Sequence, residues 1–201
     1  MPPTTKGRRT EAAFLDAARQ CFAEKGFLNT KISDIAAAAG RSTGSFYNYY
    51  DSKEQLLEAL LEQFSADVVE ASLSDRPTDP EAAVRAAVTA YWTNYQKYMP
   101  EIIGLFQMSM LDDTFRQRWF DNRASGIRQV LHGLEVADRS GYRIDLPLEP
   151  LAAALVSTLE STCWAWIASG GDPGVHRPDD DTAIEILTAI WYRTVYGRGP
   201  V

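Results

Sequence analysis

Apolar residues recur at intervals of three and four along almost the whole chain, and the two-residue alternation typical of β-strands is nearly absent. The first such run extends from Arg9 to Lys25 and is followed by Gly26, a residue type that commonly ends helices. Two strongly apolar runs, about 151–169 and 182–196, come last. The spacing therefore predicts an all-α protein.

The middle of the chain is divided by turn-forming sequences. In "SDRPTDP", Asp79 followed by Pro80 predicts the start of a helix. Further helices are predicted over "PEIIGLFQMSM" and from about Asp113 through Leu134. The segments "DRSGYRIDLPLEP" and "GGDPGVHRPDDD" are rich in Gly, Pro and Asp and are predicted to be loops.

With 201 residues, of which 45% are hydrophobic and 23% charged, the chain can bury one large core or two small ones. The first ten residues lack the apolar stretch of a signal peptide, and Glu160 interrupts the longest apolar window, so we expect no membrane-spanning segment. Cys21 and Cys163 lie far apart in helix-like segments, as in proteins of a reducing compartment. These features predict a cytoplasmic protein.

Charge is distributed unevenly. The formal net charge of the whole chain is −7, which alone argues against a partner such as nucleic acid. Residues 1–53, however, carry 8 Lys or Arg against 5 Asp or Glu, while the remainder carries 12 against 22. Such asymmetry is expected when only the N-terminal part meets a polyanion.

Two short helices are predicted close to that basic end. The first spans Ser33 to Ala39 and is closed by Gly40; the second spans about Thr43 to Tyr50 and is opened by Ser42 as its N-cap. A longer helix follows, in which "SKEQ" forms a capping box. Two short helices joined by a tight glycine turn predict a helix-turn-helix, whose second helix enters the major groove of DNA.

The second short helix has an apolar side and a polar side. Phe46 and Tyr50, four residues apart, are predicted to face inward. The remaining side chains offer hydroxyls and amides to phosphate oxygens and base edges: Thr43, Ser45, Tyr47, Asn48 and Tyr49. Gly44 lets the helix approach the duplex closely, and Lys53, in the first turn of the next helix, is predicted to bind a phosphate.

Residues 9–60, centred on "GFLNTKISDIAAAAGRSTGSFYNYYDSKEQLLEAL", resemble the N-terminal domain of the tetracycline-repressor (TetR) family of transcriptional regulators. The resemblance implies an all-α homodimer in which residues 1–52 form the DNA-binding helix-turn-helix domain. Residues 53–201 would form a larger ligand-binding and dimerisation domain, linked by a helix from about 53 to 73. The last two helices would build a four-helix interface between subunits.

Together these arguments give a set of candidate contacts to double-stranded DNA: Lys31, Arg41, Ser42, Thr43, Gly44, Ser45, Tyr47, Asn48, Tyr49 and Lys53. Lys31 stands where the family usually has a capping threonine, so its phosphate contact would be ionic. Arg41 replaces a more often apolar residue and points either to DNA or to water. Because Asn48 and Tyr49 also depart from the family pattern, the operator sequence cannot be carried over.

The C-terminal part is rich in aromatic and Met side chains, which predicts a malleable pocket for a small apolar or aromatic effector. The candidate pocket residues are Trp92, Tyr95, Met99, Phe106, Met110, Trp119, Glu160 and Trp164. An ordinary helical core is the alternative for each aromatic residue. Glu160 either binds a cationic or hydroxylated ligand, pairs across a subunit interface, or faces water.

The last helix has more apolar surface than one intramolecular contact needs. Ile184, Leu187, Trp191 and Val195 lie on one face, with Ile186 and Ile190 on another. We assign the first face to a homodimer interface, because a two-fold axis buries the same patch on both subunits. Two recognition helices about 34 Å apart would then read an inverted-repeat operator.

Other functional classes are less well supported. His132 and His176 are the only histidines, and neither lies in a pattern of metal ligands or catalytic residues. We therefore expect no enzyme, metal or cofactor. A redox switch at Cys21 or Cys163 is weakly supported, since thiols on apolar helix faces are usually inert. The sequence predicts a ligand-responsive repressor, with a regulator that has no small-molecule effector as the alternative.

Overall fold

The computed structural model describes residues 5–72 and 77–197, and within the first range it describes side chains up to residue 64. These residues form helices and no β-strand, which confirms the all-α prediction. The helices are α1 (Thr5–Lys25), α2 (Ile32–Ala38), α3 (Thr43–Phe46), α4 (Lys53–Ser72), α5 (Pro80–Lys97), α6 (Met99–Ser109), α7 (Asp113–Arg139), α8 (Leu148–Cys163) and α9 (Asp180–Tyr196), with a π-helical turn at Trp164–Ala168.

Local capping explains most helix starts. Asp79 accepts a hydrogen bond from the Ala82 amide at 2.8 Å, which confirms the predicted start of α5. Asp179 accepts one from Thr182 at 2.8 Å, so α9 begins at Asp180 and not at 182. Since both acceptors are carboxylates at helix N-termini, they also interact favourably with the helix dipole.

Two helices end differently from the prediction for a clear local reason. The helix predicted from about Thr43 to Tyr50 ends at Phe46, because the next residues close a tight turn in which the amides of Tyr49 and Tyr50 both donate to the Phe46 carbonyl. The helix predicted over 151–169 changes to π geometry at Trp164, where the Ser169 amide bonds the carbonyl five residues earlier at 2.9 Å.

The described helices form two compact units. The first unit contains α1 to α4, α6 and the start of α7 up to residue 117. The second contains α5, the remainder of α7, α8, the π-helical turn and α9. The predicted division at residue 52 does not coincide with this boundary, because α4 and α6 pack against α1 and against each other in the first unit.

Glycine allows α6 to approach its neighbours in the first unit closely. A Cβ atom at Gly104 would lie 3.3 Å from the Phe27 Cβ and 3.4 Å from both Leu57 methyl carbons. Both of these side chains are buried, so they have little room to give way. Other fully buried apolar side chains of the first unit are Phe14, Ala18, Ile35, Phe46, Leu56, Leu60 and Leu61.

A buried ion pair joins three helices of the first unit. The Nε of Arg19 on α1 donates to the Glu101 Oε1 of α6 at 2.8 Å, and the Glu101 side chain is 0% exposed. Another nitrogen of Arg19 donates to the Gln63 Oε1 of α4 at 2.7 Å. The guanidinium also lies 5.9 Å from the centre of the Tyr98 ring. Arg19 therefore fixes the position of α6 against α1 and α4.

The second unit has its own apolar core. A cluster of buried residues from α7, α8 and α9 consists of Leu134, Ala137, Leu151, Ala152, Leu155 and Val195. Tyr142 and Tyr196 pack edge to face beside it, with ring centres 4.8 Å apart. Trp92 and Tyr95 of α5 are also buried, and α5 packs mainly against α9.

We expect Arg19→Met to lower the free energy of unfolding by roughly 3 kcal/mol, because it leaves the Glu101 carboxylate buried without its cation. Arg143→Met is the matched control: its Nε pairs with Asp145 at the same distance, 2.8 Å, but in an exposed setting. That change should cost less than about 1 kcal/mol. Urea denaturation measures both changes.

The double variant Arg19→Met/Glu101→Leu tests why Arg19→Met loses stability. If the penalty comes from the uncompensated carboxylate, replacing Glu101 as well recovers most of the stability. A double variant less stable than Arg19→Met alone would contradict this explanation of the ion pair.

Candidate nucleic-acid interface

The turn between α2 and α3 is formed by local backbone geometry. Gly40 has a φ of +64°, in the left-handed region that favours glycine, and the Arg41 amide closes the end of α2 by donating to the Ala36 carbonyl at 2.9 Å. Ser42 then caps α3, because its Oγ accepts a hydrogen bond from the Ser45 amide at 3.1 Å. The predicted glycine turn and N-cap are confirmed.

Aromatic packing holds α3 in place. Phe46 is fully buried, and its ring meets that of Phe14 on α1 edge to face with centres 5.5 Å apart. Tyr50 is buried beside it, with ring centres 5.7 Å apart, and this burial raises the pKa of the Tyr50 phenol to about 12. The prediction that Phe46 and Tyr50 face inward is therefore confirmed.

The opposite side of α3 is open to solvent. Tyr47 is 57% exposed. Five other candidates in this segment are also exposed: Arg41, Ser42, Thr43, Gly44 and Asn48. Ser45 and Tyr49 are half-buried, and the Tyr49 ring lies 5.8 Å from that of Phe14. The structure thus brings eight of the ten predicted residues together on one short, capped segment.

Lys31 adds a cation at the start of α2. Its side chain is exposed, and its backbone amide donates to the Asp34 carboxylate at 3.0 Å. Lys25 also pairs with Asp34, at 3.0 Å. These bonds lower the pKa of Asp34, with the Lys31 amide as the largest cause. Lys25 therefore balances the Asp34 charge, and Lys31 and Arg41 are exposed cations of this part of the chain.

Lys53 is the exception among the predicted contacts. Its Nζ donates to the carbonyl oxygens of Phe27 at 2.7 Å and Thr30 at 2.9 Å, with that of Leu28 at 3.4 Å. It also lies 4.3 Å from the centre of the Phe27 ring. Desolvation lowers the pKa of Lys53. The ammonium that was predicted to bind a phosphate is therefore bonded within the protein.

The predicted pocket residues are divided between the two units. Met99, Phe106 and Met110 belong to the first unit, where Met110 is 62% and Phe106 36% exposed. The other five belong to the second unit: Trp92, Tyr95, Trp119, Glu160 and Trp164. Trp92 is buried and packs edge to face against Trp166, with ring centres 6.4 Å apart, whereas Trp164 is 44% exposed.

Glu160 has a partner that the sequence did not reveal. Its carboxylate pairs with Arg123 of α7, and both side chains are about one-quarter exposed or less. Another nitrogen of Arg123 donates to the Ser157 Oγ at 3.1 Å. Glu160 is therefore paired within one subunit, an arrangement not among the three alternatives considered for it.

The predicted dimer face of α9 is largely covered within a single subunit. Ile184, Leu187 and Val195 are only 8%, 2% and 3% exposed, and Trp191 packs against the core cluster of the second unit. Most of this face therefore belongs to the intramolecular core, although Leu187 and Trp191 also line a shallow apolar groove with Ile190. The apolar residues that α9 does expose are Ile186 and Ile190, at 39% and 46%.

Other chemistry has little basis in the described part of the chain. It contains no group of three His, Cys, Asp or Glu residues placed to hold a metal ion. Both cysteines are free and buried. Burial raises the pKa of Cys21, and that of Cys163 to about 12, so neither thiol is activated as a nucleophile.

One helical stretch, Leu148–Ala168, is long and apolar enough to cross a membrane, with a mean hydropathy of 1.3. Length and composition are weak evidence, because core helices of globular proteins meet the same criterion. This stretch contributes Leu151, Ala152 and Leu155 to the core of the second unit. It is therefore a packing helix of that unit.

Comparison with known proteins agrees with this geometry. The sequence profile described as "Bacterial regulatory proteins, tetR family" matches residues 14–60. The chain is 31% identical to the HTH-type transcriptional repressor KstR2 of Rhodococcus jostii, over 92% of this chain and 89% of that protein. It is 26% identical to the HTH-type transcriptional regulator EthR of Mycolicibacterium smegmatis, over 98% and 95%.

Solved structures show the same architecture. A TetR-like transcriptional regulator from Rhodococcus sp. RHA1 superimposes with a TM-score of 0.71 at 26% identity, covering 92% of this chain and 94% of that one. A second regulatory protein of the tetR family, also from Rhodococcus RHA1, gives 0.75 at 24% identity, covering 96% and 98%. The chain belongs to the tetR family of bacterial regulatory proteins, which regulate transcription through a DNA-binding helix-turn-helix.

Proposed function

We propose that this protein is a transcriptional repressor that binds an inverted-repeat operator as a homodimer and is released from it by a small apolar or aromatic effector. The observation that carries the proposal is the exposed polar face of α3, held in place by buried Phe46. The printed name of the KstR2 relative, a repressor, supports the direction of regulation. Because DNA is the partner, we also propose a cytoplasmic location.

The exposed groups of α3 and of the residues around it suit both kinds of contact to DNA. Tyr47 and Asn48 present a hydroxyl and an amide, which can bond base edges in the major groove. Gly44 has no side chain to hold the helix away from the duplex. Lys31 and Arg41 offer cations to phosphates, which position the protein but do not read sequence.

A second copy of the chain is the partner that we propose for the exposed apolar surface of α8 and α9. Ile186 and Ile190 project from α9, and Thr158, with Leu155 and Leu159, lines a shallow apolar groove beside Ile190. A two-fold axis would bury this surface on both subunits. The same axis would place two α3 helices about 34 Å apart, one helical turn of DNA, and so require an inverted repeat.

We propose that the effector binds among the aromatic residues of the second unit. Trp92 and Tyr95 supply large apolar surfaces there, and the Arg123–Glu160 pair supplies a polar group. A regulator without an effector remains the alternative. These two kinds of regulator differ in a measurable way. An effector that weakens operator binding must itself bind more weakly when the operator is present, and a regulator without an effector shows no such coupling.

The experiment for DNA recognition is selection of genomic fragments by the purified full-length protein, followed by fluorescence-anisotropy titration of the enriched duplex. We expect an inverted repeat in the enriched fragments, and at least about tenfold weaker binding by Tyr47→Ala. Enrichment of no fragment above random DNA would overturn the proposal. A single asymmetric site would overturn its homodimer part.

Two substitutions of Ser42 distinguish an effect on protein stability from an effect on DNA binding. Ser42→Ala removes the N-cap of α3 and should cost about 1 kcal/mol of stability. Ser42→Asp keeps a capping oxygen but places a negative charge where phosphates are expected, so it should fold as stably as wild type and bind DNA at least about tenfold more weakly. Thermal unfolding and anisotropy give the two readouts. Equal DNA affinity for Ser42→Asp and wild type would contradict the proposed interface.

The dimer surface can be tested with a matched pair of variants. Ile190 and Val136 are apolar residues of nearly equal exposure, 46% and 45%, on α9 and α7. Ile190→Glu should produce a monomer in sedimentation-equilibrium experiments, because it places two buried charges at the proposed two-fold interface. Val136→Glu should remain dimeric. A dimeric Ile190→Glu protein would place the interface elsewhere.

A further inference from the structure

Lys53 is the first residue of α4 and faces the turn between α1 and α2. That turn follows Gly26, which has a φ of +75°. Thr30 closes it: its hydroxyl donates to the Gly26 carbonyl at 2.8 Å, and the Cys21 carbonyl lies near the same Oγ1 at 3.2 Å. The carbonyl oxygens of Phe27, Leu28 and Thr30 are then directed toward the Lys53 ammonium.

The ammonium of Lys53 is bonded mainly to this turn. A lysine has three N–H donors and no acceptor; two of them bond the carbonyls of Phe27 and Thr30 at 2.7 and 2.9 Å, and the Leu28 carbonyl lies farther away, at 3.4 Å. Contact with the Phe27 ring adds a cation–π interaction. A phosphate that drew the ammonium away from the turn would weaken these contacts, so holding the turn and binding a phosphate compete for the same group.

The position of Lys53 at a helix N-terminus supports the same conclusion. A cation is unfavourable there because of the helix dipole, and burial lowers the Lys53 pKa further. The carbonyl oxygens, which carry partial negative charge, offset both effects. Its contacts within the protein therefore explain why a lysine stands at the start of α4.

We propose that Lys53 is a positioning residue: it fastens the α1–α2 turn, residues 26–31, to the start of α4 and so fixes where Lys31 and α2 stand when α3 meets DNA. This replaces the phosphate contact predicted for Lys53 from the sequence. The role in DNA binding depends on the proposed function, whereas the role in the turn does not. It also gives α4 a direct polar connection to the turn that precedes α2.

The salt dependence of DNA affinity distinguishes a positioning residue from a phosphate contact. Each phosphate contact adds roughly 0.9 to the slope of log K against log salt concentration, because a bound counterion is released. We expect Lys53→Met to weaken binding of the enriched duplex about tenfold, with a slope equal to that of wild type. Lys31→Met, which removes an exposed cation, is the matched comparison and should lower the slope by about 1 per subunit.

Lys53→Arg provides a second discriminating variant. Arginine keeps the charge, but its planar fork does not reproduce a three-carbonyl site for a compact ammonium. If Lys53 is a positioning residue, Lys53→Arg should weaken DNA binding as Lys53→Met does. If Lys53 contacts a phosphate, the Lys53→Arg protein should bind DNA as wild type does.

Hydrogen exchange in the absence of DNA completes the test and needs only the folded protein. Lys53→Met and Lys53→Arg should both speed amide exchange in residues 26–34, and Lys31→Met should not. The proposal is overturned if Lys53→Met lowers the salt slope as Lys31→Met does, or leaves exchange in the turn unchanged. If wild type binds no DNA, the proposed function fails, and the exchange result alone decides the role of Lys53.

Discussion

Burial of Phe46 is the interaction on which the DNA-binding surface depends. A helix of four residues, such as α3, has too few hydrogen bonds to be stable alone. Its position is set by the Phe46 ring packed against Phe14 and Tyr50, and by the Ser42 cap at its start. Every exposed group between Arg41 and Asn48 is held in place through this anchor.

Polar contacts then fix the other helices of the first unit relative to that anchor. Arg19 and Glu101 set the position of α6 against α1, and Lys53 joins the start of α4 to the α1–α2 turn. Hydrophobic packing alone tolerates small shifts, whereas buried charge pairs and directed hydrogen bonds specify one arrangement. The DNA-binding surface is therefore supported by helices outside the helix-turn-helix.

Local features of the site were predictable, and distant pairings were not. Ser42, Phe46 and Tyr50 were assigned correctly because caps and helical spacing involve residues within four positions of one another. The bonds that Lys53 makes within the protein were not predicted, because its acceptors are backbone carbonyls 23 to 26 residues away, which leave no mark in side-chain patterns. The partner of Glu160 was missed because Arg123 lies on another helix, α7. In α9 both faces are apolar, so periodicity could not tell which one the core would cover.

We propose that α3 and the start of α2 meet DNA while the contacts that support them stay intact. Hydrogen exchange of the full-length protein, with and without the enriched duplex, is the sharpest test of this proposal. On DNA binding we expect slower exchange in residues 31–34 and 41–50, with no faster exchange in residues 26–30. Protection confined to the second unit, or faster exchange in the α1–α2 turn as Lys53 leaves it for a phosphate, would show that DNA is bound in another way.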